Sequence, residues 1–264
     1  MEGQEEGVKE LDWRRLEVGL NLAGNLGASH AILTGKADPL QENIDYLCLL
    51  VERCRKHIPL VDIHTNGFMF QKRCGEDYAK QLVEAGLTMV TLSVACEDIH
   101  INERIMGFAQ YIGDIIPMLV GQGLLVRCSL VLCKAGVRSA HGVFRYVEAM
   151  GSHGAKMVVV RELWTPNPKR CDPWVLENKV DLAEVEKEWR DYLKVPVLCI
   201  QERDPLPWGQ PVYVVGSNTD PDWGVNVTFA RCDDASRGGF LKSIVHKPDG
   251  HGYRNWDHPG DILY

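Results

Sequence analysis

No apolar stretch in this sequence approaches the roughly 20 residues that cross a bilayer, because charged residues interrupt every hydrophobic run. A helical membrane span is therefore excluded. The N-terminus lacks a cationic start followed by an apolar run, and the first ten residues carry four glutamates instead. They read as the start of a cytoplasmic protein rather than as a leader. There is no excess of positive charge either: 29 Lys and Arg stand against 36 Asp and Glu, a formal net charge of −7. Such a balance supplies no global field for nucleic acid, and the tryptophans do not interleave with Lys or Arg as a base-stacking platform would. No Cys-x-x-Cys pair occurs among the nine cysteines. Reduced, mostly buried thiols are expected rather than a disulfide framework, and close zinc-ligand pairs are missing too.

What is present suits a folded enzyme-sized domain. Hydrophobic residues make up 45% of the 264 and charged residues 25%, enough for a large core under an ordinary polar surface. The apolar set Ile44, Leu47, Cys48, Val51 and Cys54 recurs at three and four residues and predicts a helix over 44–54. Further helices are expected over 11–26, 78–85, 112–120 and 143–150, with strands over 31–33, 60–63, 89–94, 124–132 and 156–160. Strand and helix alternate about every 25–35 residues, the pattern of βα units with parallel pairing. Five units can close part of a barrel or fill a doubly wound sheet, and periodicity alone does not choose. With a helix as the first element, strand 31–33 is expected at an exposed sheet edge, where a protein partner could pair.

After Glu162 the pattern changes. Residues 165–174 read as a proline-rich loop and 180–192 as an exposed helix. Short strands are expected over 195–200, 211–215, 225–230 and 240–245. The chain thus divides into a βα core, 9–194, and a mixed or antiparallel extension, 195–264.

In a parallel βα array, ligands meet the C-terminal ends of the strands. Those ends carry Thr34-Gly35-Lys36-Ala37-Asp38-Pro39, His64-Thr65-Asn66-Gly67, Ser93 to Glu97, Cys133 with Lys134, and Arg161 with Glu162. Asp38 can hold an ammonium group and Lys36 a carboxylate, or the loop is a plain turn with Asp38 as a helix cap. His64 suits a ligand contact and a structural hydrogen bond equally. Arg127 lies inside an apolar strand, where a guanidinium needs a ligand or an internal carboxylate. One of Arg161 and Glu162 is expected to face inward as a substrate or cofactor contact. Cys96 has no histidine beside it and is a poor nucleophile candidate.

The loop 34–40 resembles the Gly-Gly-Glu-Pro-like loop of the radical S-adenosylmethionine superfamily, with Ala37 in place of the second glycine and Asp38 as the acid. Other features follow in that family's order: Thr65-Asn66-Gly67; Leu92-Ser93-Val94 followed by Asn102, Arg104 and Gly107; and the entry Gly123 to Arg127. Cys232 and Pro248-Asp249-Gly250-His251 resemble the C-terminal region of some members. The likeness covers about 9–162 well and the remainder loosely. It implies an α/β fold, an incomplete (βα) TIM-like partial barrel lacking its first strand. It also implies S-adenosylmethionine as cofactor, with Gly35, Lys36, Asp38, Asn66, Ser93 and Arg127 as the contacts. The family's chemistry is reductive cleavage of that cofactor beside a [4Fe-4S] cluster, and abstraction of hydrogen from a substrate, here an unidentified small molecule or peptide.

One piece of the family pattern is missing. The Cys-x-x-x-Cys-x-x-Cys cluster loop should precede the first helix, but residues 1–34 contain no cysteine and the first is Cys48. The chain is expected to lack the cluster site and to be inactive by itself as a radical generator. Two accounts follow: a reading frame that starts too late, or a cluster-less protein that binds a nucleoside-like ligand or a partner.

Overall fold

The computed structural model describes residues 11–35, 37–72, 74–164, 172–207, 209–220, 223–231, 243–247, 249–254 and 262–263. The chain enters through α1 (Trp13–Asn25), capped by the Asp12 side chain, which accepts from the Arg15 backbone N–H. Five βα units follow: β1 (His30–Leu33), α2 (Ile44–Arg55), β2 (Leu60–Thr65), α3 (Gly75–Glu84), β3 (Met89–Ser93), α4 (Ile99–Met106), α5 (Ile112–Gly121), β4 (Leu125–Leu132), α6 (Ala140–Ser152) and β5 (Met157–Glu162). Then come α7 (Pro173–Asn178), α8 (Leu182–Tyr192), β6 (Ile200–Arg203), β7 (Val212–Gly216), β8 (Gly224–Ala230) and a two-strand ribbon of β9 (Val245–His246) with β10 (Gly252–Tyr253).

The main sheet runs β1-β2-β3-β4-β5-β8-β7-β6. Strands β1 to β5 pair in parallel, in sequence order, and β8 joins β5 in parallel before β7 and β6 continue antiparallel. The sheet is unclosed, with β1 at one edge and β6 at the other among the described residues. It is a partial (βα) barrel with added C-terminal strands.

Alternation along the strands separates two faces. Val126, Cys128, Leu130 and Leu132 of β4 and Val158 and Val160 of β5 are buried in one core with Leu47, Val51, Leu82, Ile116, Leu119, Val147, Met150 and Trp189 of the helices. The alternate residues, Arg127, Ser129, Val131, Met157, Val159 and Arg161, are half-buried on the opposite, open face. One face thus makes the core, and the other is left open.

Several expectations need correction. Residues 195–200 do not form a strand: Pro196–Leu198 is a 3-10 turn and Cys199 sits at φ 50, so extended pairing starts only at Ile200. Pro196 has no N–H to give a ladder, and Cys199 turns the backbone into the left-handed region. The end of the expected loop 165–174 is helical, because Asp172 caps α7 and Pro173 occupies its first position; 165–171 lie outside the described residues. Of the expected strand 240–245, residues 240–242 lie outside as well, and the observed strand is Val245–His246. The segment after Cys96, for which no element was expected, forms α4, capped by Asp98 and closed by Gly107 at φ 80.

Gly75 shows how tightly this fold is built. A Cβ placed there would lie 1.8 Å from the Phe70 carbonyl oxygen, a backbone atom that cannot swing aside. Gly75→Ala is expected to cost about 3 kcal/mol, the upper end of ordinary overpacking, and to lower the melting temperature by at least about 4 °C. Unchanged thermal unfolding would contradict this.

At the far end, the β9–β10 ribbon returns to the first helix. The Arg15 Nη1 lies 3.1 Å from His251 Nδ1 and 3.2 Å from Nε2. Gly250, at φ +83, lets the turn approach so closely that a Cβ would meet Arg15 Cδ at 2.8 Å.

Candidate functional site

Side chains tie together the C-terminal ends of β1, β2 and β3. After β1 the chain turns at Asp38, which caps the 3-10 turn Pro39–Gln41. Asp38 Oδ1 accepts from the Leu40 N–H at 3.0 Å, and Oδ2 accepts from the Asn66 N–H at 2.6 Å and from the Thr65 hydroxyl at 2.8 Å. A carboxylate taking several N–H and O–H donors is a strong anchor, and here it pins the turn at Asp38 to the end of β2. Gln110 continues the tie: its Nε2 donates to the carbonyls of Asn66 and Ser93, while Asn102 donates to Gln110 Oε1 and accepts from Ala95 N–H. Both amides are buried, so the three strand ends form one bonded rim.

Below this rim lies a charged network on the open face. Asp62 of β2 has a completely buried side chain; Arg127 of β4 is 17% exposed and His64 of β2 21%. Arg127 Nη2 donates to Asp62 Oδ2 at 2.6 Å, and Arg127 Nε donates to the Thr91 hydroxyl at 2.8 Å. Thr91 in turn donates to Asp62 at 2.8 Å. His64 Nε2 lies 3.1 Å from Asp62 Oδ2 and 3.0 Å from Arg127 Nη2. It can donate to the first when protonated or accept from the second when not, never both with one tautomer. Strand register makes the cluster, since Thr91 lies opposite both His64 and Arg127.

Electrostatics follow from that geometry. Burial by itself raises the Asp62 pKa, but the His64 hydrogen bond, the Arg127 charge and the Thr91 hydrogen bond outweigh it, and the carboxyl is held below its usual value. Burial lowers the Arg127 pKa, with Asp62 opposing and Arg161 adding to the shift. His30 on β1 is also lowered, first by burial and then by Arg127. The open face thus carries a buried ion pair with further cationic character beside it.

Of the residues singled out from sequence, Asp38, Asn66 and Ser93 meet at the rim, and Arg127 lies beneath it on the same sheet. Gly35 precedes the pinned turn, whereas Lys36 lies outside the described residues. Ser93 contributes its carbonyl to Gln110 and lies on the same face as Thr91. Arg161 is the open-face member of its pair, since it follows the core-facing Val160, and its buried Nε has no hydrogen-bond partner among the described residues. Burial pushes the Cys96 thiol up to about 11, which keeps it protonated and unlike a nucleophile. Sequence reasoning missed Asp62, Thr91 and Gln110, and it named Asn102 as part of the family pattern without a role at the site. The signal for Asp62 was a lone carboxylate in an apolar strand, the same signal that singled out Arg127.

The iron-sulfur cluster implied by the resemblance needs thiolates converging on one cubane. Among the described residues, no group of three or more His, Cys, Asp or Glu is placed to hold a metal ion. Cys48 and Cys54 lie on α2, Cys74 precedes α3, Cys96 follows β3, Cys128 and Cys133 lie in and just beyond β4, and Cys199 precedes β6. Burial pushes Cys54 to about 11 and Cys128 to about 12, the opposite of what a ligand thiolate requires. Cys171 and Cys232 lie outside the described residues. The described residues do not fit the cluster. No helix among them is long and apolar enough to cross a membrane.

No protein-family model and no curated protein matches this sequence. Solved structures do match in fold. Streptococcus suis SuiB superimposes with a TM-score of 0.55 at 16% identity over 90% of this chain and 48% of its own. SuiB bound to S-adenosylmethionine gives 0.52 at 15% identity, covering 87% and 46%. Methylornithine synthase, PylB, gives 0.51 at 16% identity, covering 70% and 53%. The chain spans about half the length of these structures. The fold it shares with them is an incomplete (βα) barrel, here with additional C-terminal strands. At these identities the likeness establishes architecture, and the chemistry has to be argued from the residues of this chain.

Proposed function

We propose that this chain is the ligand-binding body of a radical S-adenosylmethionine-type protein and takes S-adenosylmethionine, or a closely related nucleoside, at the C-terminal ends of β1 to β4. The cluster is not supplied by its described residues, so no cleavage step is assigned to them. Their part is to bind and orient. The observation that carries this reading is the Asp38 anchor: a carboxylate with three donors on it ties the turn after β1 to Thr65 and Asn66 at the end of β2. Asp38 therefore acts as a positioning residue, holding the backbone beside it against the end of β2, where a ligand ammonium group would find carbonyl acceptors. Within this reading, 9–194 carries the ligand end and 195–264 extends the sheet beyond β5. A known SuiB structure is a complex with S-adenosylmethionine, which supports trying that ligand first.

Calorimetry with S-adenosylmethionine tests the reading. Asp38→Asn keeps an acceptor for Leu40 but sets an amide against the Thr65 and Asn66 donors. It is expected to bind at least about tenfold more weakly, the equivalent of about 1.4 kcal/mol, while far-ultraviolet circular dichroism stays native. Equal affinities would remove Asp38 from this role. No binding by the folded wild type would overturn the ligand reading and favour an interaction scaffold, for which the outer edge of β1, unpaired among the described residues, is the supporting feature.

A further inference from the structure

We infer that the open face holds a second ligand subsite, a carboxylate site centred on the guanidinium of Arg161, which takes the substrate rather than the nucleoside. This rests on the reading that the strand C-terminal ends bind a ligand.

A buried N–H is nearly always paired, yet Arg161 Nε is buried and unpaired among the described residues. Its cross-strand neighbours, Val131 on β4 and Ala230 on β8, carry apolar side chains. Neither can accept a hydrogen bond from it. On the open-face positions of β1 to β5 and β8, Asp62 is the sole carboxylate, and it is already bonded to Arg127 at 2.6 Å. Arg127 and Arg161 against Asp62 leave one positive charge over. A carboxylate matches that charge in magnitude and can take the guanidinium fork with both oxygens. A doubly charged phosphate would overshoot it.

Distance separates this subsite from the nucleoside. The Asp38 anchor sits between β1 and β2, and Arg161 is on β5, three strand spacings or about 14 Å from β2. The amine and carboxylate of one α-amino acid share a carbon. A molecule whose amine is held beside Asp38 would have to reach across β3 and β4, past the Arg127–Asp62 pair, to place its carboxylate on Arg161. The anion at Arg161 then belongs to a different molecule, a carboxylate-bearing substrate.

The test follows the Arg161 side-chain N–H resonance in nitrogen-15-labelled full chain during titration with acetate, with and without saturating S-adenosylmethionine. A saturable shift is expected in both conditions, with acetate favoured over phosphate, and acetate affinity at least about tenfold weaker in Arg161→Gln. Because an unpartnered cation is removed, Arg161→Gln should melt no lower than wild type; a purely structural arginine would give a clear drop. Absence of a shift, equal acetate affinity in the variant, tighter phosphate binding or a lower melting temperature would overturn the subsite. Loss of the shift when S-adenosylmethionine is added would hand the carboxylate to the nucleoside and overturn its assignment to the substrate. Acetate binding without any S-adenosylmethionine binding would bring down the nucleoside reading and leave the Arg161 site. The reverse pattern would remove the Arg161 site alone.

Discussion

Arg127→Met is expected to lower the stability of the folded chain by about 3–5 kcal/mol at neutral pH, the cost of leaving one partner of a buried ion pair behind. Asp62 would stay completely buried with only Thr91 and His64 as partners. The pH dependence identifies the cause. In the wild type the folded pKa of Asp62 is lowered, so its contribution is present above the unfolded value, near 3.9, and is lost as pH falls through the folded value. Without Arg127 the burial effect meets less opposition, so the folded carboxyl takes up its proton more readily on acidification. Urea unfolding at pH 7 and at pH 4.5 should therefore show the gap between wild type and variant narrowing toward acid. A gap below about 1 kcal/mol that ignores pH would mean that the pair is not what holds this face together. Asp62→Leu combined with Arg127→Met should recover most of the loss, because an apolar pair leaves no orphaned charge.

Trp189→Ala is expected to cost about 3–5 kcal/mol by the cavity it leaves. Trp189 is fully buried in α8, with ring centroids 5.6 Å from Phe229, 6.2 Å from Tyr213, 6.3 Å from Tyr192 and 6.5 Å from Phe144. It joins α6, α8, β7 and β8, so its loss should loosen the C-terminal strands. Its indole Nε1, however, is buried without a partner among the described residues. Trp189→Phe removes that unpaired donor along with some volume, and the two effects offset, so a loss of about 1 kcal/mol is expected. Equal losses for the two variants in denaturant unfolding would contradict this account.

The five parallel strands were legible because each is a short apolar run bounded by turn residues, and the helices between β1 and β5 largely because their apolar residues recur at three and four positions. Helix α4 was not. Its isoleucines at 99, 101 and 105 do not fall on one clean stripe, and its end signals, Asp98 and Gly107, are what could have located it. The 195–200 segment looked extended from composition, but Pro196 and the left-handed Cys199 override apolar character with backbone geometry. At the site, Arg127 could be recognised by itself as a charge in an apolar strand. Its partner could not be named, since Asp62 is 65 residues away and only parallel register brings it within 2.6 Å. Asn102 and Gln110 lie outside the strands, and their role depends on how the chain after β3 folds back over the rim.

The contact between Arg15 and His251 joins residues 236 positions apart. On a ribosome adding about 5–20 residues per second, the first helix is made roughly 12–47 seconds before the turn that clasps it. Over that interval the start of α1 waits without its last neighbour, while the five βα units between can pair one after another in the order they emerge. The clasp is thus among the last contacts synthesis permits, and a chain released with its end just before His251 would carry every strand of the main sheet while its opening helix stayed unlatched.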